Sequence, residues 1–231
     1  MDIEKLFLLL QVNDASFPIG GYTHSLGLET YIQQGNVTDA ASAKIYIQHN
    51  LKVSFLYTEL LPASIAYDAA VAEDLNALAE LENLLYASKS PKELREASLK
   101  LGSRFAKTSL RVAQSAAPGG DIITRYMSQA AGRVSHAVAY AVFSAACNIE
   151  KENALAAYLY AQSAAMVTVC VKTVPLSQTD GQIILSGLHG LFAELLVELK
   201  GLSKDDLCRN TPGMDIASMQ HERLYSRLYI S

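Results

Sequence analysis

Alanine and leucine dominate this sequence, because each occurs 32 times and together they make up 64 of 231 residues. These two residues favour helices, whereas strands favour valine, isoleucine and threonine. Half of all residues are hydrophobic, which is enough to build a buried core, and only 6 are prolines. The composition therefore predicts an all-α protein.

Helix start and stop signals follow one another at short intervals along the chain. Asp39, Asp74 and Ser177 can each cap a helix. Pro62 predicts a break or kink in the helix that begins after Asp39. No long linker and no repeat of fixed period divides the chain. We therefore expect a single bundle-like domain of about eight to ten helices over residues 1–208, followed by a C-terminal arm over residues 209–231.

Gly27 lies inside a helix that the pattern places from about Tyr22 to Gln34. A glycine within a helix costs about 1 kcal/mol relative to alanine. Close approach of another backbone would compensate for this cost. We therefore expect a second element to pack against Gly27.

Two predicted helices carry almost no charge, at about 134–147 and 153–173. The second contains 19 consecutive uncharged residues, which is almost long enough to span a bilayer. Polar residues interrupt it and much of the remainder is alanine, so a helix buried in a globular protein is favoured and no membrane partner is expected. Two such helices indicate either a central pair or an oligomer interface, and the sequence leaves both open.

Charge and cysteine content exclude several classes of protein. The net charge is −4 and no basic block occurs, so a nucleic-acid partner is not expected. The 3 cysteines are widely spaced, which argues against a disulfide framework or a structural zinc site and favours a reducing compartment. The acidic N-terminus does not resemble a signal peptide. We expect a cytoplasmic location.

The sequence offers no catalytic, cofactor-binding or metal-binding motif. None of its 5 histidines belongs to an H-E-x-x-H pattern, although histidines distant in the sequence could still meet in space. The stretch from Gly102 to Thr108 resembles a phosphate-binding loop, but Ala106 stands where the second glycine is needed. We interpret it as part of a helix whose Arg104 and Lys107 face solvent or a partner.

The C-terminal arm contains a short repeat, in which Arg-Leu-Tyr at 223–225 recurs at 227–229. On a helix this spacing would stack like residues on one another. The entropy cost of ordering the arm exceeds what its few apolar side chains return on burial. Tyrosine and arginine are also enriched at interface hot spots. Ordering on a partner is therefore favoured over packing on its own domain.

Three segments together resemble the UreF family of urease accessory proteins. They are Ser16–Glu29 (SFPIGGYTHSLGLE), Val171–Asp180 (VKTVPLSQTD) and the ending His221–Ser231 (HERLYSRLYIS). In the last segment Tyr229 replaces the phenylalanine that is usual in the family.

The resemblance implies an all-helical, dimeric and non-catalytic protein without a cofactor of its own. Such a protein would bridge the scaffold protein UreD, called UreH in some organisms, and the GTPase UreG. The assembled complex would deliver nickel to apo-urease. The alternative is a helical protein that binds nickel itself, or acts as a hydrolase, through a histidine site formed in three dimensions.

The resemblance also implies partner-binding residues. Those of the arm, which would dock on UreD/UreH, are His221, Glu222, Tyr225, Arg227 and Leu228. Glu29 and Lys172 would lie on or near the surface used with UreG, and Tyr22 and Gln178 belong to the same motifs. Without a partner, Glu29 would be an ordinary helix-surface charge, and Lys172 would complement the dipole at a helix end.

Overall fold

The computed structural model describes residues 2–21, 24–116, 120–209 and 211–230, without the side chains of residues 115, 116 and 120. Within these ranges the chain forms helices and turns and no β-strand, which confirms the all-α prediction. The α-helices are α1 Ile3–Asn13, α2 Leu28–Gln33, α3 Ala40–Asn50, α4 Leu61–Val71, α5 Leu75–Ser88, α6 Lys92–Ala116, α7 Gly120–Gln129, α8 His136–Ala146, α9 Lys151–Thr173, α10 Gln178–Ser186, α11 His189–Leu199 and α12 Pro212–His221. A π-helical segment covers Leu51–Leu60 and a 3-10 turn covers Lys204–Asp206.

The number of helices slightly exceeds the expected eight to ten. With α3, the π-helical segment and α4 counted as one rod, the described ranges contain eleven α-helices. Helix α7, Gly120–Gln129, lies in a stretch for which no helix was predicted. Gly187 and Leu188 divide the helix predicted to begin after Ser177 into α10 and α11.

The rod from α3 to α4 shows how the chain accommodates Pro62. Asp39 caps the rod by accepting a hydrogen bond from the Ser42 backbone N–H at 2.8 Å. Proline has no N–H, and its ring crowds the carbonyl one turn earlier. The preceding turns are π-helical, and the Leu61 N–H bonds to the carbonyl of Leu56. The helix therefore continues past Pro62 with an altered hydrogen-bond register instead of breaking.

Helix α8 is the centre of the core, and every residue from His136 to Ser144 is buried. It lies between α4 and α6. Its Tyr140 ring lies 4.8 Å from that of Tyr158 on α9 and 5.7 Å from that of Phe105 on α6, measured between centroids. The Tyr140 hydroxyl donates to the Ala154 carbonyl at 3.0 Å. One of the two uncharged helices is thus buried on all sides.

Helix α9 is buried on one face only. Tyr158 and Leu159 are in the core, whereas Tyr160 is 46% exposed and Ala165 is also exposed. Within the described ranges, α9 is long and apolar enough to cross a membrane by length and composition, and 44% of its most apolar stretch is buried inside the protein. The expectation of a helix surrounded on all sides is therefore correct for α8 and only half correct for α9.

The C-terminal arm packs against the rest of the chain. Helix α12 contacts α2 and α6, and Tyr229 belongs to the buried core with 7% exposure. Residues 223–230 do not form the helix on which the repeated residues would stack, because the chain leaves α12 after His221. The single chain shows the arm packed on its own domain, the alternative that its apolar content did not favour. The polar contacts described below add to the burial of Tyr229.

Candidate functional site

Helices α2, α6 and α12 converge at the C-terminal arm. Gly27 begins α2 with a backbone φ of 89°, and a Cβ atom there would come within 2.4 Å of Ser218 Oγ. The hydroxyl of Thr30 donates to the Ala217 carbonyl at 2.9 Å. The expected close approach at Gly27 is therefore confirmed, although the glycine caps the helix instead of lying within it. It allows α12 to lie directly against α2.

Glu29 holds both ends of the arm. Its side chain is buried, and the residue is 2% exposed. One carboxylate oxygen accepts the backbone N–H of Leu228 at 2.8 Å. The other accepts the backbone N–H of Tyr229 at 3.2 Å and faces His221 Nε2 at 3.1 Å. These bonds replace the helical hydrogen bonds that the end of the arm does not make, which explains why it is irregular.

Glu93, in the first turn of α6, is the second carboxylate at this site. It faces His221 Nδ1 at 2.7 Å and accepts from the Arg227 guanidinium at 2.8 Å. The Arg227 side chain is 39% exposed, and that of Glu93 is 20% exposed. Glu29 and Glu93 thus hold His221 between them and also hold residues 227–229. We call Glu29, His221, Glu93 and Arg227 the carboxylate clamp.

The arm exposes several large apolar side chains to solvent. Tyr225 is fully exposed, Leu228 is 75% exposed and Ile230 is 59% exposed. Ile216 and Met219, on the outer face of α12, are also exposed. Exposed large apolar side chains next to a fixed polar framework are typical of a protein-docking surface. We call these five residues the arm patch.

Comparison with known proteins identifies the family. A family model described as UreF matches residues 37–189. The urease accessory protein UreF of Bacillus sp. (strain TB-90) is 35% identical over 232 residues, covering 99% of this chain and 100% of the relative. The protein of the same name from Actinobacillus pleuropneumoniae serotype 5b (strain L20) is 38% identical over 227 residues, covering 98% and 99%. That of Haemophilus influenzae (strain PittGG) is 35% identical over 232 residues, covering 99% and 97%.

The chain belongs to the UreF family. The match to the family model includes the motif at 171–180 and excludes Glu29 and the arm. The relatives align over nearly the whole chain, so they extend the likeness to both ends. This agrees with the resemblance found in the sequence motifs.

The structure brings some of the expected arm residues together and separates others. His221 and Arg227 point into the carboxylate clamp, where they contact Glu93. Glu222, Tyr225 and Leu228 are exposed. The arm therefore divides into residues that hold it in place and residues that a partner can reach.

The expectation for Glu29 is wrong with respect to its position. It does not lie on the surface, because the arm covers it and four hydrogen-bond contacts surround its carboxylate. Lys172 and Gln178 are exposed near the junction of α9 and α10. Lys172 lines the same cavity of about 340 Å³ as Tyr229. Tyr22 lies outside the described residues.

Sequence reasoning missed Glu93 and Gln33. Gln33 donates to the Ser226 carbonyl at 2.7 Å and so fixes the loop of the arm. Each lies more than 100 positions from its partner in the chain. Both residues sit at ordinary polar positions of their helices. No local signal in a single sequence distinguishes them from solvated side chains.

A metal or hydrolytic site gains no support from the histidines. In the described ranges, no group of three or more His, Cys, Asp or Glu side chains is placed to hold a metal ion. Glu29 and Glu93 face opposite nitrogens of His221, so the three side chains do not point at a common centre. His49 and His189 are exposed. His136 is buried among aromatic rings, and burial lowers its pKa to about 4.

The stretch resembling a phosphate loop lies in the interior of α6. Arg104 and Lys107 are exposed, as interpreted from the sequence. Gly102 serves packing, because a Cβ there would come within 2.1 Å of the Val134 carbonyl oxygen. This segment has the geometry of a helix contact and not of a phosphate-binding turn.

Proposed function

We propose that this protein is a non-catalytic adaptor for assembly of the urease metallocentre. It joins UreD/UreH to the GTPase UreG, and the complex delivers nickel to apo-urease. The observation that carries the proposal is the likeness, over nearly the full chain, to proteins named urease accessory protein UreF. In this role the protein acts by binding energy, and the nucleotide and nickel chemistry belong to its partners.

The arm patch is the proposed contact for UreD/UreH. Its side chains Tyr225 and Leu228 are accessible, and the carboxylate clamp holds the backbone N–H of Leu228. A surface that is ordered before binding loses less entropy when a partner docks. Glu29 and His221, which are buried, then support the contact from beneath.

Lys172 and Gln178 are the proposed contacts for UreG. Both are exposed, and they lie at the junction of α9 and α10. The protein is further proposed to work as a homodimer in the cytoplasm.

The test of the arm contact is capture of UreD/UreH by the tagged protein with Tyr225→Ala and Leu228→Ala combined. Both side chains are exposed, so we expect an unchanged fold and a loss of at least about tenfold in affinity, which corresponds to two modest hot spots. The matched control is Ile183→Ala with Val197→Ala, two exposed residues on α10 and α11. Equal capture by both double variants would exclude the arm patch.

Point variants are preferable to truncation of the arm. Removal of the arm also uncovers Glu29 and takes Tyr229 out of the core. Lost capture by a truncated chain would then combine a lost contact with a damaged domain. The exposed pair separates these two effects.

A further inference from the structure

His221 is a buried histidine with a carboxylate at each ring nitrogen. The residue is 1% exposed, Nδ1 lies 2.7 Å from Glu93, and Nε2 lies 3.1 Å from Glu29. An ionised carboxylate can only accept hydrogen bonds. A neutral imidazole donates from one nitrogen and accepts at the other, so it cannot satisfy both partners.

The two contacts therefore fix the number of protons that the cluster must hold. Whichever atom carries it, the cluster needs one proton more than ionised Glu29, ionised Glu93 and neutral His221 would supply. With that proton, the imidazolium and Arg227 balance the two carboxylates. Without it, one negative charge is left unbalanced in a largely buried site, which is costly.

The charged groups around His221 come from each element packed against it. Glu29 is on α2, Glu93 is on α6, and Arg227 is on the arm itself. His24, before α2, is within electrostatic range of Glu93. Arg227 bonds to Glu93 and not to Glu29, so the charge that faces Glu29 is that of His221.

The same two carboxylates also hold the far end of the arm. Glu29 accepts the N–H groups of Leu228 and Tyr229, and Glu93 accepts from Arg227. Gln33 adds one neutral hydrogen bond, to the Ser226 carbonyl. A change in the charge at His221 therefore acts on the two carboxylates that hold Arg227, Leu228 and Tyr229.

We propose that Glu29, His221 and Glu93 form a proton-dependent latch. When the cluster holds its extra proton, the arm is docked on α2 and α6. Loss of the proton as pH rises releases residues 222–230 from Glu29. The docked state binds one proton more than the released state, so the docking equilibrium weakens by up to about tenfold per pH unit over this transition.

The latch adds to the proposed function, and only its effect on partner binding rests on that function. If the arm patch binds UreD/UreH, the latch sets the orientation of Tyr225 and Leu228 before the partner arrives. Docking of the arm itself can be measured on the chain alone. The two ideas can therefore fail separately.

The direct test is nuclear magnetic resonance of the ¹⁵N-labelled full chain at a series of pH values from about 5.5 to about 8.5. The probes are the backbone amides of Leu228 and Tyr229 and the ring nitrogens of His221. We expect both amides to leave their docked positions together as His221 loses its proton. Amides that stay docked over the whole range would overturn the proposal.

The decisive variant is Glu93→Gln. A carboxamide can donate to an unprotonated Nδ1 and still accept from Arg227, so the cluster no longer needs the extra proton. We expect the arm of this variant to stay docked at the upper end of the pH range. A merely structural role for Glu93 predicts instead weaker docking with the pH dependence of the wild type, and that result would refute the latch.

Two further variants complete the test. His49→Gln changes an exposed histidine on α3 and should leave the transition in place. His221→Gln should remove the transition, with circular dichroism confirming that the helices are retained. If the pH transition is present while the Tyr225 and Leu228 variant still captures UreD/UreH, the latch stands and the proposed contact fails. If capture depends on the patch and no transition occurs, the reverse holds.

Discussion

At the scale of single residues, Glu82 is an ionisable group placed inside the core. It is 2% exposed and accepts the Ser135 backbone N–H at 2.9 Å, at the start of α8. The Tyr126 hydroxyl donates to the same oxygen. Burial raises the pKa of Glu82 from 4.5 to about 7, although the hydrogen bonds from Tyr126 and Ser135 act in the opposite direction. The core therefore contains a carboxyl group that titrates near neutral pH.

This pKa predicts how stability depends on pH. The folded protein keeps a proton on Glu82 that the unfolded chain releases above about pH 4.5, so the contribution of this group is most favourable at low pH. It declines as pH rises toward 7, by up to roughly 3 kcal/mol. Glu82→Gln should remove this decline. The measurement is the free energy of unfolding in urea from about pH 5 to about pH 8.

The control for this prediction is Glu80→Gln, an exposed residue on the same helix. Its curve should follow that of the wild type. The difference between curves is decisive, because His136 and the arm contribute equally to each protein. Parallel curves for Glu82→Gln and the wild type would show that Glu82 is not the titrating group.

At the scale of elements, the crossing of α6 and α8 depends on the absence of a side chain. Gly102 faces the backbone that leads into α8, and a Cβ atom would lie 2.1 Å from the Val134 oxygen and 2.4 Å from the Ser135 carbonyl carbon. Neither atom belongs to a flexible side chain. The close contact places Phe105 beside Phe143 in the core, with ring centroids 5.8 Å apart.

Gly102→Ala should therefore destabilise the protein despite the better helix propensity of alanine. Moving backbone to make room for an extra methyl group costs about 1–3 kcal/mol. Gly190→Ala is the matched control, because nothing lies within 4 Å of its added Cβ, and it should be neutral or stabilising. Urea unfolding of both variants measures the difference. An unchanged stability of Gly102→Ala would mean that the two helices are not in close contact.

At the scale of the whole molecule, the uncharged face of α9 is a candidate surface for the proposed dimer. Tyr160 and Ala165 are exposed on a helix with no charge between Asn153 and Val171. An exposed helix face in contact only with water is normally charged or polar. The exposed, uncharged face of α9 therefore indicates a surface that contacts another protein chain.

Ala165→Glu is expected to shift the protein from the proposed dimer to monomer, because it places a charge on that uncharged face. Ala41→Glu, at an exposed alanine on α3, is the matched control and should leave the mass unchanged. Light scattering after size-exclusion chromatography gives the mass directly. A dimer that persists in Ala165→Glu would place the contact elsewhere.

The residues that could be anticipated from sequence are those whose signals are local. The cap at Asp39, the capping box at Ser177 and the central burial of α8 all follow from neighbours along the chain. The family motifs at both ends could also be recognised, because each is a contiguous stretch of sequence. Helix α7 was not anticipated. The break at Gly187 was also missed.

Helix propensity, periodicity and contiguous motifs are properties of adjacent residues, and they were enough to predict the helical class, the buried α8 and the membership of the family. The burial of Glu29 and the contact of Glu93 with His221 could not be predicted in this way, because each contact joins residues more than 100 positions apart. A carboxylate takes its role from the donors around it. Those donors are assembled only when the chain folds.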